Sequence, residues 1–175
     1  RPEEIKLVYF TNATVFPKPE ILNRLKNFKE VEIFFSVDGV GEVNDYIRFP
    51  SQWANVDKVI DQFLYFGSQN SNFLFHFATT VSILNVWSLD EIESWYQQKK
   101  QEFQDTRLQN LVFNPLVDPS FLSLGAIPDR FRGPLRVEAA SDRIKKVLDW
   151  ADQKESRIQV DQARHFLNQL DQIRG

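Results

Sequence analysis

Val31–Gly39 reads VEIFFSVDG, and this stretch decides the fold class. Val, Ile and Phe dominate it, residue types that fit a pleated, packed surface, and it stops at Asp38-Gly39, a turn-forming pair. Asn72–Ala78 (NFLFHFA) is just as apolar. Runs with so few polar positions leave no wet face. They predict a sheet covered on one side and filled on the other, as in parallel sheets.

Working outward, Ile5–Phe10 (IKLVYF) is a further strand that breaks at Thr11-Asn12, and Phe73 begins one that continues to about Leu84. Leu111–Val117 (LVFNPLV) is the last, interrupted by Pro115, which removes a ladder donor. Helical spacing separates these runs. Pro17 and Pro19 open a helix carrying Ile21, Leu22, Leu25 and Phe28. Ser51 is placed to cap a helix with Trp53, Val56, Val59, Ile60, Phe63 and Leu64 on one stripe. Ser88 and Glu91 have capping-box spacing ahead of Ile92, Trp95 and Phe103. After Pro134 the chain turns helical over Val137–Asp152 and Val160–Ile173, the latter with Phe166, Leu170 and Ile173 on one face.

Short strands alternating with longer helices imply right-handed βαβ crossovers and a parallel sheet. The expected fold is α/β, a partial parallel (β/α) barrel of about four βα units plus C-terminal helices. One domain over residues 1–175 is expected, with closing helices from about residue 134. Part of a barrel has two open edges, so it exposes unpaired backbone unless something completes it.

Composition narrows the function. Apolar residues are 42%, charged residues 26% and the net charge is −3, an ordinary globular balance without the basic footprint of a nucleic-acid binder. No apolar run reaches the roughly 18–20 residues of a membrane span and no signal peptide opens the chain, so a cytoplasmic setting is expected. With no Cys there is no disulfide, thiolate catalyst or cysteine-held metal in the sequence. His76 and His165 stand apart and outside any metal-ligand spacing. An opening at Arg1-Pro2-Glu3-Glu4 with no Met anywhere is what an internal fragment would show.

In parallel α/β folds ligands bind at the carboxyl ends of strands. Those ends carry Thr11-Asn12, then Ser36-Val37-Asp38-Gly39, then Thr79-Thr80, then Asn114. Four small polar groups in succession on one rim look like a lined pocket. Each taken singly is also an ordinary turn former or strand terminator. His76, among phenylalanines, reads as a hydrogen-bonded core or helix-facing histidine, and the tryptophans as packing anchors.

The order Phe10-Thr11-Asn12-Ala13-Thr14, Phe35-Ser36-Val37-Asp38-Gly39-Val40-Gly41, Tyr46-Ile47-Arg48 and Trp53 resembles radical S-adenosylmethionine enzymes of the twitch-domain (shortened SPASM) type. Thr79-Thr80-Val81-Ser82-Ile83-Leu84-Asn85, Asn114-Pro115-Leu116…Pro119 and Leu170-Asp171…Arg174 continue the likeness in the same order, so it covers most of the chain. The resemblance implies the third to sixth strands of a six-stranded partial barrel. It implies cofactor contacts from Ser36, Asp38 and Arg48, with Ser36 on the ribose or methionine portion and Arg48 on the carboxylate, which a guanidinium recognises as a fork. It places Thr11, Asn12, Thr80, Asn85 and Asn114 toward the substrate. The family's Cys-x₃-Cys-x₂-Cys loop for a 4Fe-4S cluster, its Gly-Gly-Glu-Pro motif and the twitch-domain cysteines are all missing here.

The expected function is therefore a part of such an enzyme, inert alone, that needs the rest of its own barrel and acts on a substrate such as a peptide or protein side chain. No nucleic-acid or membrane partner is expected. The alternative is a non-catalytic half barrel that binds or scaffolds without a cluster. A third reading, carboxylate acid–base chemistry by Asp38 with Asp118, needs the two to approach each other.

Overall fold

Residues 30–36 form the strand that the VEIFFS run predicts, and the side chains alternate strictly between half-buried and buried. A computed structural model describes residues 1–104, 106–128, 130–131, 134–135, 141–152 and 160–174. Four strands, β1 (Lys6–Thr11), β2 (Glu30–Ser36), β3 (Phe73–Val81) and β4 (Leu108–Pro115), pair in the order β1-β2-β3-β4, every pair parallel. Parallel neighbours need long crossovers. These hold α1 (Pro19–Leu25), then α2 (Glu42–Ile47) with α3 (Trp53–Ser68), then α4 (Leu89–Glu102). After β4 lie α5 (Asp142–Asp152) and α6 (Val160–Arg174). The expected α/β architecture of successive βα units is thus present.

One face of the sheet carries the core. Val31, Ile33 and Phe35 of β2 and Phe73, Phe75 and Phe77 of β3 are almost wholly buried, packed against Val56, Ile60, Phe63 and Leu64 of α3 and Ile92 of α4. The approach of α3 is close enough to need Gly67, where a Cβ would stand 2.1 Å from the Phe75 ring. Trp53 and Trp95 pack edge to face at 5.1 Å, and Phe77 meets Trp95 at 4.8 Å. Lys99 of α4 lies between Asp57 and Asp61 of α3 and ties the two helices. Burial opposes its charge, but the hydrogen bonds to Asp61 and Asp57 outweigh that and hold its pKa above the usual lysine value. Helix α5 buries Ile144, Val147 and Leu148, and Arg143 pairs with Glu93 of α4 at 2.5 Å.

The described residues do not fill the opposite face, contrary to the expectation from apolarity. Among the described residues Phe10 is 63% exposed, and Val8 and Val112 are also exposed. Lys6 bridges Glu30 at 3.1 Å and Glu32 at 2.7 Å across β1 and β2. Phe10, Phe34 and His76 stack in register across three strands, at 4.8 and 4.3 Å between centroids. A strand alternates its faces, so half of an apolar run covers the helix side and the other half needs a cover of its own.

Several element boundaries differ from the sequence reading. Ser51 does not cap α3. Its hydroxyl has no partner among the described residues, and the Asp45 carboxylate accepts the Trp53 N–H instead. Ser88 is the N-cap residue of α4, yet its hydroxyl donates to the Asn85 carbonyl, so no capping box forms. Strand β3 stops at Val81 rather than Leu84 because Asn85 accepts the Ser82 N–H and closes a turn there. Strand β4 begins at Leu108, paired with Phe75 ahead of a register shift at His76, and Pro115 is its last residue. Phe28 lies beyond α1 but still packs on the core. Residues 137–140 of the expected Val137–Asp152 helix lie outside the described residues. Trp87 is 53% exposed and anchors no packing of that kind, whereas Trp150 packs against the core. In α6 the inward stripe is Ala163, Phe166, Leu167 and Leu170, and Ile173 points to solvent. No helix among the described residues is long and apolar enough to cross a membrane.

Candidate functional site

Asp38 follows the carboxyl end of β2, where the chain turns back through Gly39 and Gly41 into α2. A Cβ on Gly39 would stand 2.6 Å from Val43 Cγ1 and 2.8 Å from the Asn44 nitrogen, so glycine lets α2 fold against the strand end. Gly41 has φ +59°, a conformation that glycine adopts without a Cβ penalty. These two glycines bring Arg48, just past α2, over Asp38.

The carboxylate of Asp38 is fully engaged. Oδ1 accepts the Thr80 backbone N–H at 2.8 Å, and Oδ2 pairs with Arg48 Nη2 at 2.7 Å. The Asp38 carbonyl accepts Asn85 Nδ2–H at 2.7 Å, and the same amide donates to the Thr80 carbonyl at 2.9 Å. Thr79 Oγ1 donates to the Val37 carbonyl at 2.6 Å. Asp38, Arg48, Thr80 and Asn85 are therefore one network that ties the ends of β2 and β3. Asn85 is buried and spends its amide on backbone, so it builds the rim rather than facing a ligand. Asp118 is not among the partners of Asp38, which is committed to a cation and an amide.

What this rim leaves unspent matters most. The Ser36 hydroxyl, on the open face beside the Phe34–His76 stack, has no hydrogen-bond partner among the described residues. Arg48 Nε, Ser51 Oγ and both amide atoms of Asn44 are buried without partners among the described residues. Such groups are ordinarily satisfied, and each left bare costs about 1–3 kcal/mol. Thr80 and Asn114 are register partners on β3 and β4 with exposed side chains on the open face.

The end of β1 is different. Thr11 lies on the helix side of its strand and its Oγ1 accepts the Ala13 N–H, with Ala13 at φ 53°. Asn12 Oδ1 accepts from the Thr14 N–H and hydroxyl. Both side chains thus shape their own turn, and Thr11 is not on the face shared by Ser36 and Thr80. Asn12 also lines an open groove of about 520 Å³ with Arg48, Phe49, Ser51, Gln52 and Asn55. Asn55 Nδ2 closes one wall by donating to the Thr14 carbonyl at 2.9 Å.

Two titratable groups near the rim are shifted. Burial raises the pKa of the Tyr46 hydroxyl, and its hydrogen bond to Asp171 Oδ1 at 2.9 Å adds to this. Burial lowers the pKa of His76, against the charge of Glu32 and with that of Lys6. Among the described residues His76 Nε2 is buried without a partner and the ring stacks on the open face, so His76 is neither helix-facing nor hydrogen-bonded through that nitrogen, contrary to the sequence reading. The sequence reading also missed Asn44, gave Ser51 only as a helix cap, and did not foresee the engagement of Tyr46 by a residue 125 positions away.

Among the described residues no group of three or more His, Asp or Glu side chains is arranged to hold a metal ion. A cluster held by thiolates does not fit a chain with no cysteine. Searches against family models, curated proteins and solved structures find no match to this chain.

Proposed function

We propose that this chain supplies part of the cofactor- and substrate-binding rim of a radical S-adenosylmethionine enzyme of the twitch-domain type, and that it is inert by itself. The observation that carries the reading is the rim at β2 and β3. There the Asp38–Arg48 pair, at 2.7 Å, stands with Arg48 Nε and the Ser36 hydroxyl unspent. Arg48 Nε suits a carboxylate oxygen and Ser36 a ribose or amino-acid heteroatom. Asp38 fixes the guanidinium, so its orientation is set before any ligand arrives. Were a reduced cluster held outside this chain to donate the electron that cleaves the sulfonium, the cofactor would supply hydrogen-atom abstraction from a substrate. The residues of this chain bind, orient and exclude water.

The partner in this reading is the rest of the same barrel. It is supported by the open edge of β1, by the exposed Val8 and Phe10, and by an apolar cleft of about 290 Å³ lined by Leu7, Tyr9, Ile21 and Phe63. An uncovered edge with apolar flanks is a pairing surface. The substrate class kept for the groove beside Asn12 is a peptide or protein side chain.

The absence of cysteine favours one second reading, a non-catalytic module that recognises a ligand or partner through the same rim. The parent reading frame separates the two. A three-cysteine loop about 60–120 residues upstream of Arg1, the length of two βα units with their loops, is expected for the enzyme. Its absence there excludes the chemistry and leaves the binding module.

A further inference from the structure

Helix α6 joins two places on the rim that lie at different strands. Phe166 packs on Phe121, in the turn after β4, with ring centroids 5.3 Å apart. Farther along, Asp171 Oδ1 accepts the Tyr46 hydroxyl of α2 at 2.9 Å. Arg174 lies over the rings of Tyr46 and Phe49 at 4.6 and 5.9 Å. Residues 166 to 174 span about 12 Å of helix, and the two strand spacings between β2 and β4 amount to about 10 Å. The helix therefore crosses from the β4 side of the carboxyl end to the β2 side.

Its hold is slight. Among its residues only Ala163 is buried, whereas α3 buries Val56, Val59, Ile60, Phe63, Leu64 and Gly67. Docking also leaves Arg174 Nη1 buried without a partner among the described residues, which offsets part of what the ring contacts contribute. Elements with few buried apolar contacts are those that open locally while the rest of the fold stays intact. The contacts it does make converge on Tyr46 and Phe49, the residues that flank Ile47-Arg48.

We propose that α6 is a latch on the rim: it docks and undocks as a unit, and Tyr46, Asp171 and Arg174 are positioning residues that set Arg48 against Asp38 when it is docked. Undocking frees the loop after α2 and opens the rim to ligand entry; docking fixes the guanidinium in place. The role in ligand entry rests on the function proposed above, while the docking equilibrium does not.

Hydrogen exchange on the whole chain, followed by mass spectrometry, tests the latch. Tyr46→Phe removes the hydroxyl alone and keeps the ring under Arg174; Asp171→Asn and Asp171→Glu complete the set. The expected result is that residues 160–174 exchange faster than α3 in the wild type. They should exchange up to about tenfold faster again in Tyr46→Phe and Asp171→Asn, with β2, β3 and α3 unchanged and Asp171→Glu restoring most of the protection. The Arg48 Nε–H resonance should move with the same variants, a response that a merely structural end helix would not produce. Exchange of α6 as slow as α3, no response to Tyr46→Phe, acceleration throughout the sheet, or an unmoved Arg48 resonance each overturns the latch. Failure of the chain to bind S-adenosylmethionine refutes the proposed function and leaves the exchange result to decide the latch.

Discussion

Replacing Asp38 with Asn removes a charge and little else. The amide oxygen still accepts the Thr80 N–H, which lies 2.8 Å from the native carboxylate. What is lost is the partner of Arg48, at 2.7 Å and with side-chain exposures of 23% for Arg48 and 12% for Asp38. Breaking a fully buried pair by removing one partner costs about 3–5 kcal/mol, and an exposed pair about 0–1 kcal/mol. At these exposures the pair stands nearer the buried case, so Asp38→Asn should cost about 2–3 kcal/mol. For a chain of this length that lowers Tm by about 5–10 °C. Urea unfolding followed by fluorescence of the packed Trp53 and Trp95 measures it. Arg48→Met in the same background removes the stranded cation, so the double variant should recover part of the loss. The cycle should give a coupling of at least about 1 kcal/mol. Costs that add to within about 0.5 kcal/mol would mean that the two side chains do not act on each other, and the reasoning about a prefixed guanidinium would fail.

His76→Phe extends the Phe10–Phe34 stack and removes a buried nitrogen without a partner, so it should stabilise the chain by about 1 kcal/mol at pH 7. Burial holds the folded-state pKa of His76 below its unfolded value of about 6.5. The stability of the wild type is therefore present above that value and is lost as pH falls through it, because the unfolded chain takes up the proton first. The advantage of the Phe variant should widen between pH 7 and 5.5, and an equal or shrinking gap in urea midpoints contradicts this. Gly41→Ala meets nothing within 4 Å, so its cost is the backbone strain of φ +59°, ψ −133°, a region open almost only to glycine, about 1–3 kcal/mol. Gly39→Ala must push α2 off the strand end, so it should also abolish the Asp38–Arg48 coupling that Gly41→Ala preserves; the same double-mutant cycle in each background reads the difference.

Periodicity made the sheet legible. VEIFFS and FLFHFATTV could be placed as strands because their apolar runs are short, rich in Phe and β-branched residues and bounded by turn formers. The helical stripe from Val56 to Leu64 was legible for the same reason. Caps were not, because two groups can reach one N–H and sequence does not say which arrives: Ser51 is nearer in the chain, but Asp45 is delivered by α2. Apolarity also overstated burial. Phe10 and Phe34 are strand residues on the face that the helices do not cover. At the rim, Ser36, Asp38 and Gly39 could be read as a polar turn at a strand end, whereas Arg48 was implied only by the family resemblance. The division of labour was hidden. Asn85 and Thr11 have the same chemistry as a ligand contact, yet one fastens two strands and the other caps its own turn. The Tyr46–Asp171 contact joins residues 125 positions apart, a separation that no local pattern reports.

Calorimetric titration of S-adenosylmethionine into the isolated chain, with Ser36→Ala and Arg48→Gln alongside, tests the central claim. Binding in the low micromolar range is predicted for the wild type, weakened about tenfold by either variant through the loss of one hydrogen bond or charge-assisted contact. No binding by the wild type, or binding that both variants leave unchanged, would contradict it.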